Sequence, residues 1–449
     1  MPTIEKAGSE SQSRRRVPLG QLWRDSKAFR VIALLSMLAV ISVIVIALFS
    51  PPLKYQLAEP PAFQITSEAY VDQLEALTTS HASRRNRVEH ISNGENFYPA
   101  MLEAMRGAQH SIHLEAYIFD KGEVTDRMID VVTERARAGV KVRLVLDAVG
   151  SMHTPRDYFD AFRQAGGRVE LYHPLKWNTW IRTNNRTHRE LVVIDGNTAF
   201  VGGAGVADHW YKPVEDSPRW RDSMFRIQGD AVRWIQGTFV ENWLEASGEL
   251  LSGDNYFVQQ DGTGSATALV VNSSPSQGGS THARILFQTL LASATKSIDI
   301  TTPYFLPDES LRNELIRAVK ERKARVRVLV PGDGIDHKLT RATSRQMYGD
   351  LLEAGVEVFE YSPSMIHAKI LVVDDVWAIF GSTNFDNRSF GINDEINVAA
   401  LDPHLAAALT SQFEQDLRQS HAITLENWRR RPLTERGLEW LGWLLERQQ

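Results

Sequence analysis

A segment of this chain occurs twice. THRELVVIDG (Thr187–Gly196) and IHAKILVVDD (Ile366–Asp375) each set a histidine ahead of an apolar run that closes on an aspartate. Further pairs match in the same order. SIHLEAYIF (Ser111–Phe119) pairs with SIDITTPYF (Ser297–Phe305), GVKVRLVLD (Gly139–Asp147) with ARVRVLVPG (Ala324–Gly332), and AGGRVELYHP (Ala165–Pro174) with AGVEVFEYSP (Ala354–Pro363). The offset is about 180 residues throughout, which marks a duplicated domain rather than a short-period solenoid. Between the first two strand pairs lie helical patterns, VTDRMIDVVTERARAG and DESLRNELIRAVKERK. Strands alternating with helices predict an α/β layered sheet in each half. Two similar halves packed about a pseudo-twofold axis bring one cassette from each into a shared cleft.

Strand geometry says what each cassette presents. Side chains at i and i+2 share a face, so His367 projects with Lys369, and His188 with Glu190 and Arg186. Asp195 and Asp374 follow their histidines by seven positions, an odd offset that predicts a place at the strand end, ordering a turn. After the second cassette comes AIFGSTNFDNRSFGINDEINV, where Gly381 and Ser382 let backbone approach a ligand and Asn384 can donate to an anion. Glu395 is positioned to hold the imidazole of His367 by accepting its second N–H. Paired histidines suit phosphoryl transfer: one neutral imidazole attacks phosphorus, and the other hands a proton to the leaving alkoxide. Lysine and asparagine then neutralise the non-bridging oxygens. This chemistry needs neither a metal nor a cofactor, and no carboxylate–histidine metal cluster is evident in the sequence.

These residues resemble the phospholipase D superfamily, with its H-x-K-x4-D signature followed by G-S/G-x-N, and within it the bacterial cardiolipin synthases. The resemblance spans roughly residues 90 to 432 and includes TTPYFLPD (Thr301–Asp308), GSTNFDNRSFGINDEIN (Gly381–Asn397), HLEAYIF (His113–Phe119) and WRDSMFRIQGDAV (Trp220–Val232). It implies two phospholipase D-like α/β sandwich domains that form one active-site cleft. It also implies transfer of a phosphatidyl group, usually from phosphatidylglycerol, to an alcohol through a phosphatidyl-histidine. His188, Asp195, His367, Lys369 and Asp374 then form the catalytic set, with His188 as nucleophile and His367 as acid. Lys369, Ser382 and Asn384 hold the phosphate, and Asp222 and Glu395 brace the histidines. The first half departs from the pattern. Glu190 stands where the family has lysine, and Gly205 where it has asparagine. An ionised glutamate would repel a phosphodiester, at a cost of several kcal/mol in a low-dielectric site. Three readings of Glu190 follow: it pairs with Lys369 or an arginine (Arg182, Arg186 or Arg189), it accepts a hydrogen bond from the incoming alcohol, or the first half has decayed. Retention of both histidines, both aspartates and the whole second motif favours a rearranged, active site.

Val31–Phe49 carries no charge over VIALLSMLAVISVIVIALF, about the length a bilayer core needs. Arg14, Arg15, Arg16, Arg24, Lys27 and Arg30 precede it, and Lys54 is the one nearby basic residue after it. The positive-inside rule therefore predicts a single-pass inner-membrane anchor with the catalytic domains on the non-cytoplasmic side. The expected order is a cytoplasmic segment (1–30), anchor (31–49), linker (50–90), first domain (91–250), linker (251–266), second domain (267–425) and an interfacial helix (426–449). The tryptophans and arginines of WNTWIRTNNR (Trp177–Arg186) would suit a rim for lipid access. A net charge of −5 argues against bulk nucleic-acid binding, and the absence of cysteine excludes disulfides and thiolate metal sites. The expected partners are a phospholipid and the membrane; oligomeric state is not legible. Rival functions share these motifs: a hydrolase releasing phosphatidic acid, for which the acceptor is water, a nuclease, which the anchor and the acidic net charge weaken, and a non-catalytic lipid-binding or scaffold protein.

Overall fold

The computed structural model describes residues 26–49, 55–59, 62–174, 184–260, 262, 264–275 and 281–432. The chain divides into two units, residues 1–52 and 53–449. In the first, Lys27–Phe49 is a helix whose side chains are described through Ser42. Among the described residues no helix is long and apolar enough to cross a membrane.

The second unit is built on one 15-stranded sheet. Its first-half strands are β1 (Ala82–Ser92), β2 (Ser111–Ala116), β3 (Lys141–Asp147), β4 (Arg168–Tyr172), β5 (Leu191–Ile194), β6 (Thr198–Gly202) and β7 (Ser223–Gln228). The second half supplies β8 (Ala266–Ser273), β9 (Ser297–Thr301), β10 (Arg325–Pro331), β11 (Glu357–Tyr361), β12 (Ile370–Val373), β13 (Trp377–Gly381), β14 (Glu395–Leu401) and β15 (Ser420–Ile423). The spatial order is β15-β11-β10-β9-β12-β13-β14-β8-β1-β7-β6-β5-β2-β3-β4. From the β8–β1 joint outward, each half runs through its first, seventh, sixth, fifth, second, third and fourth strand, and the second half adds β15 at its edge. The joint is antiparallel, Ala82 opposite Leu269 and Ser83 opposite Ala268, as a local twofold requires. Each of the eight strands expected from the four matched pairs of segments is present.

Why the sheet is mixed follows from its connections. β2, β3 and β4 are parallel, as are β9, β10 and β11, with helices bridging them. Glu123–Arg137 and Glu309–Lys320 are the two crossover helices the sequence predicts. Asp308 caps the second, accepting from the Leu311 amide at 2.9 Å, and satisfies one of the free N–H groups of the first turn. β5 and β12, the strands that follow the two histidines, run antiparallel to β2 and β9.

Three large apolar cores, and a small fourth around Leu329, Tyr361, Ile366 and Phe413, hold the layers among the described residues. One lies in the first half around Phe97, Leu114, Val142 and Phe200, and one in the second around Leu286, Ile300, Val328 and Trp377. The third is common to both, joining Val193, Phe225 and Trp243 to Val372, Phe380 and Val398. Phe225 and Phe380 stack with centroids 3.7 Å apart. The halves therefore share buried surface and form one body, which fixes the two cassettes relative to each other.

The stretch 50–90 departs from its expectation as a linker. Glu68–Thr78 is a helix that buries Tyr70, Val71 and Leu74 in the second-half core, and β1 starts at Ala82. Its apolar residues recur at helical spacing, a signal that the neighbouring prolines obscured. At the other end Leu425–Arg429 is a short helix, and the interfacial helix expected over 426–449 lies largely outside the described residues.

Candidate active site

The two histidines enter the cleft on matching, crossed supports. The backbone before β5 docks on the second half, where the His188 amide donates to the Asp394 carbonyl at 2.8 Å and the Asp394 amide to the Arg186 carbonyl at 2.9 Å. The backbone before β12 does the same to the first half. There the His367 amide donates to the Arg221 carbonyl at 2.7 Å and the Arg221 amide to the Met365 carbonyl at 2.8 Å. The supports carry the bracing acids. His188 Nδ1 lies 3.2 Å from Glu395 Oε2 and 3.1 Å from the Ser382 carbonyl, and His367 Nδ1 lies 2.9 Å from Asp222 Oδ2. Each histidine is thus held by a carboxylate of the opposite half. The expectation that Glu395 would hold His367 is corrected: the acid on β14 faces the other domain's histidine, because the duplicate strands exchange partners across the twofold. Both neighbours of His188 Nδ1 are acceptors, so that nitrogen carries the hydrogen and Nε2 presents its lone pair.

Lys369 lies beside His367. Its Nζ is 2.7 and 3.0 Å from the two ring nitrogens and 3.3 Å from the Gly203 carbonyl. Burial, with the lysine charge added to it, pushes the imidazole of His367 down to about 4. Burial also lowers the ammonium of Lys369 to about 8, against the pull of nearby carboxylates, Asp222 the strongest. For Asp222, burial is outweighed by the His367 hydrogen bond and charge and the Lys369 charge, so its carboxyl sits below its ordinary value. Trp210 donates its indole N–H to the same carboxylate at 3.0 Å, and its ring lies 5.4 Å from that of His367. The hydroxyl of Ser382 donates to Glu395 at 2.5 Å, so this serine buttresses the acid of His188. Asn384 is 5% exposed, and the terminal oxygen of its amide has no protein partner among the described residues. Glu395 Oε1 is likewise without a partner. Buried polar atoms left unpaired in a cleft are what a polar ligand or water would satisfy.

The signature aspartates are elsewhere. Asp195 accepts from the amides of Gln109, His110 and Ser111 at 2.7 to 2.8 Å. Asp374 accepts from the amides of Thr295, Lys296 and Ser297 and from the Thr295 hydroxyl at 2.8 to 3.1 Å. Each caps the start of the neighbouring strand, β2 or β9, from the far end of β5 or β12. Seven residues of extended chain put them about 23 Å from the histidines. Their place in the catalytic set is therefore corrected to a scaffolding one, in line with the odd offset.

Glu190 is buried at 5% exposure, and its Oε1 accepts the Tyr117 amide at 3.0 Å. It makes no ion pair among the described residues. Arg189 turns to the opposite side, donating to the Thr238 carbonyl at 2.9 Å and to Glu241 at 2.7 Å, and Arg186 meets Asp147 at 3.4 Å. Arg182 and most of the tryptophan-containing rim lie outside the described residues. Of the arginines weighed as partners for Glu190, Arg186 and Arg189 are thus engaged elsewhere, and the described contact of its carboxyl is with a backbone amide. A buried network missed by the sequence reading anchors the cassette. Thr187 donates to Glu115 at 2.5 Å, Asn242 donates to Glu115 at 2.6 Å, and Tyr172 donates to Asp394 at 2.5 Å. Burial lifts the Glu115 carboxyl to about 7. These polar residues lie on separate elements within strand and helix patterns, so no short motif announces them.

The fold and the crossed histidines define a phospholipase D-type enzyme. The family model described as cardiolipin synthase, PLD-like domain, matches residues 101–211 and again 287–417. The probable cardiolipin synthase YwiE of Bacillus subtilis is 34% identical over 357 residues, covering 79% of this chain and 71% of the relative. The major cardiolipin synthase ClsA of the same organism is 34% identical over 404 residues, covering 88% and 83%. Among solved structures, a phosphatidylserine synthase of Haemophilus influenzae aligns with a TM-score of 0.66 at 13% identity, covering 84% of this chain and 99% of that one, which bears on the fold alone. The chain belongs to the cardiolipin synthase family of the phospholipase D superfamily and is a phosphatidyltransferase-class enzyme.

Proposed function

We propose that this enzyme moves a phosphatidyl group from phosphatidylglycerol to a lipid alcohol, as a cardiolipin synthase, through a phosphohistidine. The observation that carries the reading is the crossed bracing: two imidazoles, each held at Nδ1 by a carboxylate of the other half, beside one buried lysine. The Nε2 lone pair of His188 attacks phosphorus. The bond from phosphorus to the glycerol oxygen breaks, and glycerol leaves with a proton delivered by His367. A hydroxyl of a second phosphatidylglycerol then gives its proton to His367 and attacks the same phosphorus. The N–P bond breaks, releasing cardiolipin and restoring His188.

In this reading a bound phosphodiester draws the Lys369 ammonium towards its non-bridging oxygens. That removes a charge from beside His367 and raises its basicity as substrate binds, so the imidazole takes up the proton it delivers to glycerol and can take one back from the incoming alcohol. Asn384 adds a donor on the same side. Burial of His367 below its ordinary range favours the neutral form that accepts the alcohol proton.

We also infer the anchor at 31–49. Val31, Ile32, Leu35 and Leu38 are each more than half exposed on the helix Lys27–Phe49, a surface that suits lipid better than water. With the basic residues before it, the reading is a single pass that keeps the catalytic body at its lipid, on the non-cytoplasmic side. The division into two domains on either side of 251–266 belongs to the same proposal, with the first domain's limit moved from 91 to the start of β1 at Ala82.

Purified full-length protein mixed with phosphatidylglycerol vesicles is expected to release glycerol and cardiolipin in equal amounts, read by mass spectrometry. Phosphatidic acid as the main product would make water the acceptor and the enzyme a hydrolase. Absence of any phosphatidyl product would overturn the choice of donor.

A further inference from the structure

Residues 202–205 of the first half (Gly-Gly-Ala-Gly) occupy the place of Gly-Ser-Thr-Asn at 381–384 in the second, so Gly205 is the counterpart of Asn384 as Glu190 is of Lys369. The two differences are coupled in space. A Cβ at Gly205 would lie 2.6 Å from the Ile118 carbonyl oxygen and 3.2 Å from Glu190 Oε1. Any larger residue at 205 would push against the carboxyl and against backbone that holds it, so glycine leaves the notch in which Glu190 sits. The Tyr98 hydroxyl closes the notch, donating to the Gly205 carbonyl at 2.7 Å. A decayed site would have no reason to keep such a matched fit.

We propose that Glu190, seated in the Gly205 notch and held by the Tyr117 amide, donates a carboxyl O–H to a non-bridging oxygen of the phosphodiester. It thereby replaces by a neutral hydrogen bond what Lys369 supplies by charge in the other half. The inference rests on the phosphatidyl-transfer reading of the cleft.

The charges around Glu190 agree with it. The groups facing it are the Lys369 ammonium, the Asp222 carboxylate and the phenols of Tyr98 and Tyr117. Among the described residues Lys369 and Asp222 offset each other at Glu190, and neither Arg186 nor Arg189 forms an ion pair with it. Burial pushes the Glu190 carboxyl well above the usual range, against the Tyr117 and Ile118 amides and the lysine charge that lower it. A buried acid kept neutral is a hydrogen-bond donor. The electrostatic objection to glutamate in a phosphate cleft then disappears, because the group that meets the anion carries no charge.

Infrared difference spectra between wild type and Glu190→Gln test the protonation directly. At pH 7 the wild type is expected to show the C=O band of one extra protonated carboxyl, and inorganic phosphate should shift that band. Turnover of phosphatidylglycerol vesicles supplies the second readout. Glutamine keeps a donor of the same shape, whereas methionine fills the space without one, so kcat/KM of Glu190→Gln should exceed that of Glu190→Met by about tenfold or more. A missing band, equal losses in both variants, or no loss in either would overturn the proposal. If the wild type itself does not turn over phosphatidylglycerol, the proposed function fails while the phosphate-shifted band still decides the role of Glu190.

Discussion

Alanine at His188 is expected to lower phosphatidyl transfer by about 10³-fold or more, and alanine at His367 by a similar factor through a different step. Without His188 there is no nitrogen to form the N–P bond, and the path through a covalent intermediate closes. Without His367 the leaving glycerol and the arriving alcohol lose their proton partner, while the nucleophile stays braced by Glu395 and the Ser382 carbonyl. The two losses should not add, since each already removes the shared path. Initial rates of cardiolipin formation from single and double variants, normalised to folded protein, check both statements. A His188→Ala enzyme within about tenfold of wild type would contradict the assignment of that residue as nucleophile.

Asp374→Ala is expected to do the reverse: unfold the protein more readily and leave its chemistry in place. The carboxylate ties three consecutive amides and a hydroxyl at the start of β9. Removing it strands those donors at a partly exposed strand end, which costs about 2–3 kcal/mol. Asp374 itself has φ 52°, a left-handed turn that aspartate tolerates better than alanine, and this adds to the loss. Denaturant unfolding of the variant should show the lower midpoint. Turnover per folded molecule should remain within a few-fold of wild type, because the carboxylate lies about seven strand residues from the imidazole. Asp195, with the same role at β2 and φ 51°, should behave alike.

The sequence made the doubled architecture legible because a duplicated α/β unit repeats its strands in order, and buried strands such as LVVI and ILVV leave a continuous apolar signal. The faces of His188 and His367 followed from the two-residue period of extended chain. What it could not give was partnership across the twofold. Glu395 lies 28 residues from His367 in the chain yet holds His188, and nothing local to either motif encodes an exchange made by packing. The helix Glu68–Thr78 was hidden for a related reason: its apolar face is completed by the second half, far along the chain. Glu190 stood out as an anomaly in the sequence, and of the partners weighed for it Arg186 and Arg189 are engaged elsewhere. Its neighbours Arg186 and Arg189 lie on other faces, and the space that accommodates its carboxyl is made by Gly205.

The most direct test of covalent transfer in this cleft is to stop the wild-type enzyme during steady turnover of phosphatidylglycerol by denaturation in neutral organic solvent, and to map the protein by mass spectrometry. The account predicts a phosphatidyl adduct on the peptide that contains His188, absent from the His188→Ala variant treated in the same way. An adduct on His367 instead, or product formation with neither histidine ever modified, would contradict it.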